Sequence, residues 1–343
     1  MFSNIFLNQE NLLHNVRTLS NIANAKLCVM VKANAYGHGA REIVEMLGDE
    51  VEFLGVSNQR EAFDLREMTL KEIIVFGKCE DYDECILKDI SFALFSLEQA
   101  KEILNLSKKL SRKPKMHLCI NSGMNRYGVK DVKEFKKILL LLEKHSLSLE
   151  GLYTHFSSLT TDVEYTKKQY EIFKEFSSLL PKDWKTIKHI GGGRSIFENF
   201  DADAYRVGLE VYGYGHELLK PVLSVESQIV SITNVKKGEH VGYLCGFTAE
   251  KDMKVATIPL GYGDGFPRKL SNKLNVKLNG GHVSNVGNIC MDAFMVDVTK
   301  MKCKVGDRVI VLENATSLAK ILGTTEYEVL TNLLRFRGER KIY

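Results

Sequence analysis

Through the first part of the chain, short apolar runs alternate with stretches whose apolar residues recur at helical spacing. Runs at 27–31, 53–56, 73–75, 92–94, 115–120, 149–156, 186–190 and 205–207 read as strands. Between them, Leu12, Leu13, Val16 and Leu19 mark one face of a helix over 8–19, and Ile43, Val44 and Leu47 mark another. Further helical spacing runs over 59–65, 97–110, 132–142 and 165–180. Eight strands alternating with helices predict an α/β fold, a (β/α)8 barrel of the TIM type. A doubly wound open sheet is permitted by the same alternation, but the count of eight favours the barrel.

Beyond residue 217 the texture changes. Apolar alternation punctuated by Gly, Asn and Asp predicts strands, with a hairpin at Asn279-Gly280-Gly281 and one helix near 318–322. No low-complexity linker or internal repeat intervenes. The expected organisation is a barrel domain over 1–217 and a mostly-β C-terminal domain over 218–343.

Composition narrows the function classes. A hydrophobic content of 44% and a charged content of 26% are those of an ordinary globular chain. The 47 basic and 43 acidic residues leave a net charge of +4, which argues against a nucleic-acid surface. Seven cysteines without a CxxC pair read as reduced thiols rather than disulfides or a zinc site. The histidines show no HExxH or paired spacing, so no metal is expected. The start lacks a basic segment followed by a long apolar core, and no apolar run reaches membrane-spanning length. A cytoplasmic protein without a membrane partner is expected.

Candidate chemistry gathers on one rim of the predicted barrel. Lys32 follows the first barrel strand, where charge is costly unless used or paired, and lysine is the residue that forms Schiff bases with pyridoxal phosphate. A strand-end lysine reaching solvent is an equal reading of that segment alone. The same rim would carry Tyr36, Arg126, His155, Arg206 and the turn Gly191-Gly192-Gly193. Three glycines in the strand-seven loop suit close backbone approach to a phosphate, although a plain flexible turn is the simpler reading of the triplet by itself.

These segments carry a resemblance. VKANAYGHG (31–39), SGMNRYG (122–128), THF (154–156), YRVGLEVYGY (205–214), GY (242–243), IPLGYGDGF (258–266), VGNICMDAFMVDV (286–298) and EYEV (326–329) resemble, in order along nearly the whole chain, the motifs of alanine racemases. That family uses pyridoxal 5'-phosphate on a barrel followed by a β domain. The resemblance implies that Lys32 holds the cofactor covalently and acts as one acid/base, with Tyr243 as the other on the opposite face. It implies that Tyr243 comes from a second copy, so that a homodimer with shared active sites is expected. It also implies phosphate binding by Tyr36, Gly208, Leu209 and Tyr327, with Gly192 and Gly193 close by. Arg206 would face the pyridine nitrogen, and His155 would lie against the ring and link that arginine to Tyr243. Arg126 would contact substrate, and Tyr262 and Met291, again from the second copy, would bound its pocket. The implied substrate is alanine, and the implied product D-alanine, for peptidoglycan synthesis.

The chemistry agrees with such roles. Racemisation removes the α-proton from one face and returns one to the other, so two bases must flank a flat intermediate. Lysine and tyrosine, with ordinary pKa values of about 10.4 and about 10, suit the task when nearby arginines lower them. An arginine at the pyridine nitrogen stays charged and discourages protonation there, whereas barrel decarboxylases are expected to place a carboxylate at that point. A broad-specificity amino-acid racemase and a barrel decarboxylase are the near alternatives. A non-catalytic cofactor carrier is a third, disfavoured by the second domain. Two departures from the family pattern stand out. Gly192 and Gly193 replace an asparagine-serine pair, a feature closer to the decarboxylases, and Cys119 replaces a lysine that many members carry seven residues before the arginine.

Overall fold

The computed structural model describes residues 2–198 and 200–343. Its first strand, β1 (Asn4–Leu7), precedes a helix over Gln9–Ala23. Eight strands then follow: β2 (Lys26–Met30), β3 (Phe53–Val56), β4 (Glu72–Val75), β5 (Ser91–Leu94), β6 (Met116–Cys119), β7 (Gly151–His155), β8 (Ile187–Gly191) and β9 (Ala204–Val207). All pair in parallel with their neighbours, and β2 pairs with β9, so the sheet closes into a barrel. The strands read as continuous apolar runs because both faces are covered, by barrel interior on one side and by helices on the other.

The helices start where the sequence supplies caps. Asn8, Asn58, Asp81, Ser96, Asp131 and Asp162 each accept a backbone N–H of the first turn through the side chain. One barrel helix, Tyr82–Leu87, was absent from the periodicity, since six residues give too few turns to show it.

The C-terminal part is built from β10 (Leu223–Gln228), β11 (Ser231–Val235), β12 (His240–Val241), β13 (Phe247–Thr248), β14 (Met253–Ile258), β15 (Asn275–Leu278), β16 (Gly281–Ser284), β17 (Phe294–Asp297), β18 (Arg308–Leu312) and β19 (Glu339–Ile342). They form a six-stranded sheet in the order β16-β15-β18-β10-β1-β19, a three-stranded sheet β11-β14-β17 and a β12-β13 ribbon. Leu278 pairs with Gly281 across Asn279 and Gly280, which is the predicted two-residue hairpin. A helix over Ala315–Leu322 encloses the predicted one, and a second helix follows over Glu326–Asn332.

β1 belongs to this sheet, not to the barrel: Asn4–Leu7 lie antiparallel to β10 and parallel to β19. The chain's start therefore crosses the boundary expected at 217/218. A four-residue strand whose partners lie more than 200 residues away leaves no local signal.

Candidate active site

The C-terminal ends of the barrel strands surround a cavity of about 230 Å³ lined by Lys32, Tyr36, Arg126, His155, Gly192, Gly193, Arg206, Gly208 and Tyr327, among others. The rim residues read from the sequence thus share one space, at the end of the barrel where such folds place chemistry.

Lys32 stands two residues past β2, at the start of an unusual turn. Ala33, Asn34, Ala35 and Tyr36 all have φ between 50° and 54°, so the backbone winds left-handed. At about 1–2 kcal/mol per residue, four L-residues in that conformation cost about 4–8 kcal/mol, so the surroundings must over-determine it. They do. Glu61 Oε1 accepts the Ala33 N–H at 2.8 Å, and Asn34 Oδ1 accepts the Ala40 N–H at 2.7 Å. His38 donates through Nδ1 to the Ala35 carbonyl at 3.0 Å and stacks on Tyr212 at 4.3 Å. The turn lifts Lys32 into the cavity and buries Tyr36 beneath it. Burial, then Arg126 and Arg206, push the Lys32 ammonium below its ordinary range, although Glu61 pulls the other way. A half-buried lysine shifted in that direction gives up its proton more readily, which favours it as a nucleophile and as a proton acceptor.

Arg206, on β9, is buried and anchored from below. Its Nη2 donates to the Thr154 carbonyl at 2.6 Å, and its Nη1 donates to His189 Nδ1 at 2.8 Å. That contact leaves the His189 proton on Nε2, which lies 2.9 Å from His117 Nδ1, and the His117 Nε2 lies 3.6 Å from Glu72. Burial and the Arg206 charge hold His189 well below its ordinary pKa, so it stays neutral. The imidazole bonded to Arg206 is therefore His189. His155, expected to make that link, flanks Arg206 without a hydrogen bond to it among the described residues. It too is neutral, pushed down to about 3 by burial and by Arg206, Arg126 and Lys32. His189 escaped the sequence reading because its ring points into the barrel from mid-strand, where a histidine reads as packing.

An anion cradle faces Lys32. A side-chain carbon on Gly208 would fall 2.6 Å from the Tyr36 hydroxyl, so only glycine leaves that backbone open. Tyr36 and Tyr327 lie with ring centroids 5.7 Å apart, and burial first and foremost raises both phenols, so they remain hydroxyl donors. Leu209 is buried and does not line the cavity, and Glu210, which the sequence reading passed over, is buried directly behind Gly193 and Gly208, which do line it. With two guanidinium side chains, a lysine whose amine is favoured, two neutral phenols and an open backbone, the residues present fit pyridoxal phosphate. Tyr36, Tyr327 and Gly208 suit its phosphate, Arg206 its ring nitrogen, and Lys32 its aldehyde carbon.

Arg126 sits on a loop organised by Asn121, whose Oδ1 accepts the N–H groups of Gly123 and Asn125 at 3.2 and 3.0 Å. Cys119 contributes a 3.6 Å contact from its thiol to the Tyr127 carbonyl, and burial raises that thiol to about 11, so it stays protonated. The loop backbone is fixed, while the Arg126 side chain makes no hydrogen bond among the described residues.

Tyr243, Tyr262 and Met291 do not line this cavity. They lie on the β part with side chains exposed, and Tyr243 and Tyr262 share a shallow depression with Leu244 and Arg268. The N–H groups of Tyr262 and Gly263 donate to the carbonyls of Cys290 and Met291 at 3.0 and 2.9 Å, which ties the two loops together. Asp264 is a turn residue: it accepts the Gly261 N–H and pairs with Arg337.

A closed parallel barrel with a half-buried lysine, its ammonium disfavoured, opposite an anion cradle defines a barrel enzyme that works through lysine chemistry. The description "Alanine racemase, N-terminal domain" matches residues 7–216, and "Alanine racemase, C-terminal domain" matches residues 222–342. The chain belongs to the alanine racemase family. It is 31% identical to alanine racemase 2 of Caldanaerobacter subterraneus, with 97% of this chain and 95% of that one covered. It is 32% identical to the alanine racemase of Helicobacter pylori, with 95% of each chain covered. Among solved structures, the alanine racemase of Clostridium difficile 630 superposes with a TM-score of 0.91 at 32% identity, over 96% of this chain and 93% of that one. That of Bartonella henselae, with covalently bound pyridoxal phosphate, superposes at 0.88 with 26% identity over the whole of both chains. Among the described residues, no helix is long and apolar enough to cross a membrane.

Proposed function

We propose that the chain interconverts L-alanine and D-alanine with pyridoxal 5'-phosphate held at Lys32, as a homodimer whose two copies complete each other's sites. One observation carries the reading: a lysine whose ammonium is disfavoured by burial and two arginines stands in one cavity with Arg206 and a hydroxyl-lined cradle. Both halves of a chain so arranged match those of the alanine racemase family.

When bound, the cofactor supplies a conjugated ring that delocalises the charge left by the departing α-proton. Tyr36, Tyr327 and Gly208 hold the phosphate, with the backbones of Leu209, Gly192 and Gly193 beside them. Arg206, kept cationic and oriented by neutral His189, faces the ring nitrogen and keeps a proton off it, which suits reversible proton exchange and disfavours decarboxylation. His155 lies neutral against the ring. Arg126 receives the substrate carboxylate. Lys32 Nζ takes or returns the α-proton on one face, and the phenolic oxygen of Tyr243 of the partner subunit does so on the other. Tyr262 and Met291 of the partner subunit bound the substrate pocket. The barrel over 1–217 binds the cofactor, and the part over 218–343 serves the partner's site. The enzyme would work in the cytoplasm and supply D-alanine for peptidoglycan.

L-alanine incubated with enzyme and cofactor in D₂O should yield D-alanine deuterated at the α-carbon. Release of carbon dioxide, or racemised lysine or arginine with alanine untouched, would replace this reading with a decarboxylase or a different racemase.

A further inference from the structure

The cradle holds a carboxylate of its own. Glu210 is buried, and its Oε2 accepts the Gly208 N–H at 3.3 Å. The carboxyl fills the space where a side chain on Gly193 would begin: a Cβ there would lie 1.7 Å from Oε2 and 2.2 Å from Cδ. Charged and titratable groups face it from several elements. Arg194, on the turn after β8, attracts it, and the phenols of Tyr36, on the left-handed turn, and Tyr327, on the C-terminal helix, lie close enough to be raised by it. Gly193 and Gly208, which Glu210 backs, line the cavity together with Lys32, Arg126, His155 and Arg206.

We infer that Glu210 is a proton-carrying member of the phosphate site. It holds the Gly208 N–H when no phosphate is present. It takes a proton from solvent when phosphate arrives, then donates its O–H to a phosphate oxygen, and Gly193 is the residue whose missing side chain makes room for it. The inference rests on the proposed cofactor. An ionised carboxylate and a phosphate only accept hydrogen bonds, so they compete for the same donors and repel each other. The protonated acid turns that repulsion into a bond, and no other bond is made or broken. Burial already favours the acid form of Glu210, against the pull of the local backbone N–H groups and Arg194. Gly193 lacks any hydroxyl, so Glu210 would supply the side-chain donor on that side of the cradle.

Pyridoxine 5'-phosphate isolates this step, because without an aldehyde it cannot attach to Lys32. Its binding is measured by calorimetry from about pH 6 to about pH 9, in two buffers of different protonation heat, for the full chain and for Glu210→Gln. The ligand's own ionisation is common to both proteins. The full chain should take up close to one extra proton per site on binding. Its affinity should fall by up to about tenfold per pH unit relative to Glu210→Gln once the free acid ionises. Equal proton uptake and parallel pH profiles would overturn the inference. Gly193→Ser should weaken binding at least tenfold by crowding Glu210, and Gly193→Ser/Glu210→Ala should restore it; tight binding by Gly193→Ser alone would also overturn it. Pyridoxal phosphate itself separates the two readings. Its visible lysine-bound band should appear in the full chain and vanish in Lys32→Ala. A band without any Glu210 effect sinks only this inference, whereas no binding of either compound overturns both.

Discussion

At the scale of residues, the site is a problem of keeping protons off groups that would ordinarily hold them. Lys32 sits beside two arginines, and each ammonium–guanidinium repulsion favours the free amine. Of the two charges, Arg126 acts the more strongly, and it reaches the cavity from a loop rather than from the barrel wall. Replacing Arg126 with glutamine removes that repulsion and should raise the Lys32 pKa. Covalent attachment of pyridoxal phosphate needs the free amine, so its pH midpoint should move upward. A spectrophotometric titration of attachment against pH checks this, and a midpoint that stays put or moves down would contradict it. Several cavity residues, Lys32, Arg126, Gly192, Gly193 and Arg206 among them, could be picked from the sequence because lysine, arginine and glycine are conspicuous after apolar strands, while Gly208 and Tyr327 came only with the family resemblance. His189, His117 and Glu210 could not. Each looks like filler until the barrel closes and brings β6, β8 and β9 within hydrogen-bond reach of Arg206 or the cradle.

At the scale of elements, the left-handed turn after β2 joins the two parts of the molecule. Gly37 ends it with φ at 83°, and a Cβ there would stand 2.2 Å from the Leu330 carbonyl oxygen in the helix Glu326–Asn332. Arg340 Nη2 donates to the Gly37 carbonyl at 3.0 Å, which fastens the same point to β19. That helix also carries Tyr327, so the packing that stabilises a strained turn also sets the distance between Tyr36 and Tyr327. Gly37→Ala should therefore cost about 1–3 kcal/mol of stability from backbone strain alone, and loosen the cradle as well. Urea unfolding together with the affinity for pyridoxine 5'-phosphate measures both effects, and an unchanged midpoint with unchanged affinity would show that the turn is not held as described. The eight barrel strands were legible because each is a buried apolar run, and a helix-capping side chain follows β3 to β7. The hand of the turn after β2 was not: the Gly/Asn-rich segment reads as a turn, and only contacts with distant residues select the rarer hand.

At the scale of the whole molecule, the proposed dimer has each chain present half of each of two sites. Its barrel offers Lys32 at the bottom of an open cavity, and its β part exposes Tyr243, Leu244, Tyr262 and Met291 on a surface away from it. Exposed aromatic and aliphatic side chains of this kind would suit an interface, and in the proposed two-fold dimer each β part would lie over the other copy's barrel. The sequence showed the two kinds of texture, barrel and β. It did not show that β1 joins the far sheet, because strand pairing between the two ends of a chain has no local period. The most direct measurement is complementation between Lys32→Ala and Tyr243→Phe, each purified separately, then mixed, dissociated and reassociated. A hybrid dimer would hold one intact site, with its lysine from one copy and its tyrosine from the other. Random reassortment should then restore about a quarter of the wild-type alanine racemisation from two nearly inactive proteins. If the mixture stays as inactive as its components although hybrids form, the lysine and the tyrosine do not meet across a subunit boundary, and the two-base account of this protein fails.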